Sequence, residues 1–131
     1  EIMDAPAPGG LGGTYAGNPL AVAAAHAVLD VMAEDKLPER GAKLGDQLKA
    51  LLEGLKPQVP QIADVRGLGA MVAVEFNDAG GTLGADPAKV ILLTCGVNAN
   101  VVRFLFPLTT PQPVFDEALG LLRESILAAT R

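Results

Sequence analysis

Cysteine is almost missing from this 131-residue chain: Cys95 is the only one. An internal disulfide is therefore excluded, as is a metal site built on cysteines, and a cytoplasmic location is the expectation. Half the residues are apolar, yet no uninterrupted apolar run approaches the ~20 residues that span a bilayer. The opening residues are acidic and proline-bearing instead of basic and apolar, which is unlike a secretory signal. Positive charge is also in short supply. Ten Lys and Arg stand against fifteen Asp and Glu, a net charge of −5, and no basic patch is interleaved with aromatics, which argues against a nucleic-acid surface. Internal repeats and long low-complexity tracts are absent, and 15 Gly with 10 Pro falls short of a disordered composition. The length is one domain's worth of chain, enough to bury a substantial core.

What is present reads as helices at the two ends of the chain and strands between them. From Pro19 to about Glu34 the chain is rich in Ala and Val and apolar nearly all round, the pattern of a helix buried between two layers. Asn18 as N-cap and Pro19 at the first helical position fix its start. A second helix is predicted from about Pro38 to Leu55, with Leu44, Leu48, Leu51, Leu52 and Leu55 forming one stripe and Gly54 and Pro57 ending it. The period then changes. Ile62 to Val65, Met71 to Phe76, Val90 to Thr94 and Val101 to Phe106 have strand-like lengths, with Gly67 and Gly69 allowing a bend between the first two. Pro111 and Pro113 set up a last helix, along which Phe115, Leu119, Leu122 and Ile126 recur at helical spacing. The expected fold is α+β: a small, largely antiparallel sheet covered by helices on one face.

Two places carry candidate chemistry. Gly9 to Gly17 is a glycine-rich approach to a helix start, and such a loop lets backbone amides come close to an anion while the helix dipole favours phosphate. Thr14 adds a hydroxyl. The bland alternative is a bare surface loop. Arg103 interrupts the apolar run Val101-Val102-Arg103-Phe104-Leu105 and must find an acceptor, because burying it unpaired is very costly. It is either a structural ion pair with Glu75 or Asp78, or a clamp that grips a substrate carboxylate with its planar fork. His26 among alanines and Cys95 at a strand end read as packed structural residues. Arg66-Gly67-Leu68-Gly69 lacks the third glycine of a dinucleotide fingerprint and reads as a strand bend. No metal site is expected.

The wording of several segments adds to this. Gly12-Gly13-Thr14-Tyr15-Ala16-Gly17-Asn18-Pro19-Leu20-Ala21 and Ala24-Ala25-His26-Ala27-Val28-Leu29-Asp30 closely resemble the class III pyridoxal-phosphate aminotransferases. Leu93-Thr94-Cys95-Gly96 and Asn100-Val101-Val102-Arg103-Phe104-Leu105-Phe106-Pro107-Leu108-Thr109 resemble the 4-aminobutyrate branch of that family more than the acetylornithine branch. Val65 to Met71 and Val74 to Asp78 agree with the same branch, so the resemblance covers nearly the whole chain.

The resemblance implies a C-terminal portion of a fold-type I transferase that depends on pyridoxal 5'-phosphate. Residues 1–34 would be the end of the large cofactor-binding domain with the interdomain helix, and 35–131 the C-terminal small domain. Thr14 would bind the cofactor phosphate across a homodimer interface, in a dimer or dimer of dimers, and Arg103 the carboxylate of glutamate or 2-oxoglutarate. Glu1-Ile2-Met3-Asp4 resembles an internal segment that follows the cofactor-bearing lysine. None of Lys36, Lys43, Lys49, Lys56 or Lys89 matches that lysine, so no catalytic residue is expected here and the chain alone would be inactive. The activity implied for the complete enzyme is transfer of the amino group of 4-aminobutyrate to 2-oxoglutarate. The alternatives are another ω-amino acid, such as 5-aminovalerate or ornithine, and a non-catalytic small-domain fragment. Three departures stand out. Between Asp78 and Leu92 the chain is shorter than the family pattern by roughly a dozen residues, about one ordinary helix. Ala99 replaces a common glycine, and Thr110 a usual isoleucine.

Overall fold

The computed structural model describes residues 2, 4–77, 93–97 and 100–129. By internal contacts the chain divides into two compact units, Glu1–Lys36 and Leu37–Arg131. The shortened stretch between Asp78 and Leu92, Asn98 and Ala99 lie outside the described residues.

The first unit is the glycine-rich loop followed by helix α1, Pro19–Glu34, with the start that Asn18 and Pro19 predict. Its burial is not as expected. No residue of α1 is buried, and Leu20, Val22, Val28, Leu29 and Val31 are all exposed.

The second unit contains α2 (Leu37–Leu55), β1 (Ile62–Leu68), β2 (Met71–Phe76), β3 (Leu93–Cys95), β4 (Val101–Phe104) and α3 (Gln112–Ala129). The four strands form one sheet in the order β1-β2-β4-β3, and every neighbouring pair is antiparallel. This is the α+β arrangement expected from the sequence. Leu44, Leu48, Leu52 and Leu55 of α2, with Phe115, Leu122 and Ile126 of α3, pack in one cluster with Val72, Val74, Phe76, Val102 and Phe104 of the sheet. Leu51 and Leu119 are partly buried against it. Gly54 does not stop α2 but sits in its last turn.

A positive φ at Gly69 and close approach at Gly45 shape the contact between the first hairpin and α2. β1 and β2 are joined by Gly69 and Ala70, with Leu68 opposite Met71 and Gly69 at φ +56°, the positive angle that a two-residue hairpin asks of its first central residue. Helix α2 lies against this turn at Gly45, where an added Cβ would stand 1.8 Å from the Gly69 carbonyl oxygen.

Candidate functional site

The sheet has a helix-covered face and an open face. Side chains alternate between the faces along each strand, so the buried Val72, Val74 and Phe76 of β2 face the core while Met71, Ala73 and Glu75 face the other way. A bulge between Ile62 and Asp64 returns Ile62 to the core and leaves Asp64 on the open face. On β4, Val102 and Phe104 are in the core, and Arg103 between them is exposed. The register then sets Arg66, Ala73 and Arg103 in one row across β1, β2 and β4, with Asp64, Glu75 and Val101 in the next.

The position of β4 that defines this row is held by Asn100. Its side-chain amide donates to the Phe76 carbonyl at 2.8 Å, and the Phe76 amide donates to the Asn100 carbonyl at 2.9 Å. Beyond β4 the chain is held to α2 by Arg40, whose guanidinium donates to the Leu108 carbonyl at 2.6 Å and to the Thr110 carbonyl. The strand carrying Arg103 is thus fastened at both ends to the helix-backed part of the unit.

The structural-pair reading of Arg103 needs a buried guanidinium and a carboxylate partner; the guanidinium is not buried, and Glu75 is not that partner. The residue is exposed, and its side chain has no hydrogen bond or ion pair among the described residues. Glu75 is engaged elsewhere: Nη1 of Arg66 donates to Oε2 of Glu75 at 2.7 Å and to Oδ2 of Asp64 at 2.8 Å. Asp78 lies outside the described residues. The Arg66 hydrogen bond holds the Asp64 carboxyl below its ordinary value of 3.8, and Asp64 with Glu75 raises Arg66 in turn. A depressed carboxyl pKa contributes stability above the ordinary value that is lost as pH falls through the folded one. Both groups are exposed, so the contribution is small.

This ion cluster escaped sequence reasoning. The signal for it was present: once Gly69 and Ala70 are taken as a two-residue hairpin loop, counting back along the strands sets Asp64 opposite Glu75 and Arg66 opposite Ala73.

In the first unit, Gly13 accepts from the Ala16 amide at 3.0 Å and Tyr15 accepts from the Asn18 amide at 3.2 Å, two overlapping turns. Gly17, at φ +75°, leads into the cap. The amides at the helix start itself are taken. Oδ1 of Asn18 takes the amides of Leu20 at 3.0 Å and Ala21 at 3.2 Å, its carbonyl takes that of Val22 at 2.9 Å, and Pro19 has none. The cap residue has used the donors that a ligand would need. Uncommitted donors lie earlier, among them the hydroxyl and amide of Thr14 and the amide of Tyr15, which make no hydrogen bond among the described residues. Both residues are exposed.

The sequence profile of the family described as aminotransferase class-III matches residues 1–126. The chain belongs to the class III aminotransferases. A 5-aminovalerate aminotransferase from Pseudomonas aeruginosa is 48% identical over 136 residues, covering 95% of this chain and 32% of that protein. A 4-aminobutyrate aminotransferase from Escherichia coli is 41% identical over 95% of this chain and 32% of its own length. Among solved structures, an ornithine aminotransferase from Toxoplasma gondii aligns with a TM-score of 0.77 and 30% identity, over 98% of this chain and 31% of that one. That structure has pyridoxal phosphate in partial occupancy at its active site. The chain spans about a third of the length of the curated relatives it matches. The match to the Pseudomonas protein is longer than this 131-residue chain, so that relative has residues with no counterpart here.

Class III aminotransferases depend on pyridoxal phosphate. The donors at Thr14 and Tyr15 fit the phosphate of that cofactor: one hydroxyl and two amides, exposed and without partners among the described residues, beside the positive end of α1. No helix among the described residues is long and apolar enough to cross a membrane.

Proposed function

We propose that this chain is the C-terminal portion of a transaminase that moves the amino group of 4-aminobutyrate to 2-oxoglutarate, giving succinate semialdehyde and glutamate. The observation that carries the reading is Arg103, a guanidinium that stands unpaired on the open sheet face while every carboxylate described near it is engaged with Arg66. A planar fork without an internal acceptor can make two parallel charge-assisted hydrogen bonds to a substrate carboxylate. When bound, pyridoxal phosphate supplies the electron sink that amino transfer requires. The chain's own part is to hold the cofactor phosphate through Thr14, across the interface of a homodimer or dimer of dimers, and to orient the substrate through Arg103.

A second reading, with 5-aminovalerate as the amino donor, is supported by the higher identity to the Pseudomonas relative. The two donors differ by one methylene, a difference that a pocket converts into roughly a 10- to 200-fold preference. Comparing kcat/KM for both donors on the complete enzyme decides between them. A tenfold or larger preference for 4-aminobutyrate is expected; the reverse preference establishes the second reading, and no turnover of either removes both. The same assay on this chain alone is expected to show no turnover, since none of its lysines matches the cofactor-bearing one.

Thr14→Ala in the complete enzyme tests the cofactor site. Losing one hydrogen bond to a charged group costs roughly 1.5–3 kcal/mol, so affinity for pyridoxal phosphate should fall by about one to two orders of magnitude. The thermal stability of the apoenzyme should change little, because the side chain is exposed and bonded to no described residue. Equal cofactor retention on dialysis by mutant and wild type would make Thr14 an ordinary loop residue.

A further inference from the structure

Glu75 is the diagonal neighbour of two arginines. Ala73, two residues before it on β2, is opposite Arg66 on one side and Arg103 on the other. The two guanidinium-bearing residues therefore flank Glu75 about equally, each within the reach of a diagonal cross-strand pair. One carboxylate serves two cations, and the structure gives it to Arg66 at 2.7 Å. We propose that Arg66 is a positioning residue: it holds Glu75 on the β1 side of the sheet and so keeps the Arg103 fork open to a substrate carboxylate. This rests on the reading of Arg103 as the carboxylate clamp.

Three features support the assignment. Arg66 bridges two carboxylates that are directly opposite one another in register, Asp64 and Glu75. Like charges so placed repel, so without the bridging cation Glu75 is pushed away from Asp64, towards the β4 side. What faces Glu75 on that side is Val101, an apolar residue that offers neither a competing cation nor a hydrogen bond. The nearest cation on β4 is Arg103, one row along, and it has no partner among the described residues. A released Glu75 would become an internal carboxylate that competes with the substrate.

The size of the effect follows from the weakness of exposed ion pairs. A pair of this kind is formed about one and a half to five times as often as it is open, and a substrate that needs the open form sees its KM multiplied by roughly two to six. The test uses the complete enzyme and reads KM and kcat for glutamate and 2-oxoglutarate. Arg66→Gln should raise both KM values roughly two- to sixfold, with kcat affected less, and the rise should shrink as ionic strength increases. Arg66→Lys, which keeps a charge beside Glu75, should stay nearer the wild type. The decisive variant is Arg66→Gln combined with Glu75→Gln: with the competing carboxylate gone, KM should return to within about twofold of the wild type, inside the weak-pair range.

A merely structural Arg66 predicts the opposite, a double variant no better than Arg66→Gln, and that result overturns the proposal. So does an unchanged KM in Arg66→Gln when Arg103→Gln raises it, an outcome that leaves the clamp reading of Arg103 standing. If Arg103→Gln itself leaves KM unchanged, the clamp reading fails and the role of Arg66 fails with it.

Discussion

Arg103→Lys in the complete enzyme is expected to raise KM for glutamate and 2-oxoglutarate on the order of tenfold to a hundredfold, with the melting temperature close to that of the wild type. Lysine keeps the charge but not the planar fork, so a bidentate grip becomes a point contact. A hydrogen bond between charged groups is worth roughly 1.5–3 kcal/mol, which sets the size of the change. The stability half of the expectation comes from the environment of the side chain. The Arg103 side chain is exposed and bonded to no described residue, and its neighbours in sequence, Val102 and Phe104, make their core contacts from the opposite face of β4. Substitutions at such sites usually stay within about 0.5 kcal/mol. A structural role would give the reverse pattern, a lower melting temperature with unaltered affinity for both dicarboxylates.

The largest effect on stability is expected from a single methyl group at Gly45. Alanine is favoured over glycine within a helix by about 0.8–1 kcal/mol, and propensity alone would make Gly45→Ala stabilising. Contact geometry decides otherwise. The new Cβ would lie 1.8 Å from the Gly69 carbonyl oxygen and 2.6 Å from its carbon, and these are backbone atoms of a hairpin turn that cannot rotate aside as a side chain could. Either α2 withdraws from the sheet or the turn deforms, and overpacking of this kind costs about 1–3 kcal/mol or more. The expected outcome is a melting temperature lower by several degrees. Gly54→Ala in the same helix is the control. Nothing lies within 4 Å of a Cβ there, so propensity acts unopposed and the protein should be as stable as the wild type or slightly more so. Thermal melts of the two variants with equal shifts would show that the contact at Gly45 has no energetic weight.

Much of this architecture was legible because it depends on local chemistry. Asn18-Pro19 starts α1 where a cap and a fixed φ require it, and the leucine stripe of α2 and the 115–126 spacing of α3 give the faces that the core uses. What was not legible depends on which segments become neighbours. Alternation along a strand says which residues share a face but not which strand lies alongside, so the placement of β4 between β2 and β3 could not be read from it. The same limit explains Arg103. Flanked by Val102 and Phe104 in sequence, it looked like a charge in an apolar strand, yet in an extended chain adjacent residues point to opposite sides, and its cross-strand neighbours are Ala73 and Leu93, with Glu75 on the diagonal. At the glycine-rich loop, composition pointed to a helix start rich in free amides. The Asn18 side chain that marks the start also occupies those amides, which moves the anion-binding capacity back to Thr14 and Tyr15.

A crystal structure of the complete enzyme with a bound dicarboxylate that does not react tests the account most directly. The prediction is a substrate carboxylate facing the Arg103 guanidinium with two parallel hydrogen bonds of about 2.7–2.9 Å, while Arg66 keeps Glu75. A dicarboxylate held entirely by other residues, with Arg103 turned to solvent or paired to Glu75, would contradict it.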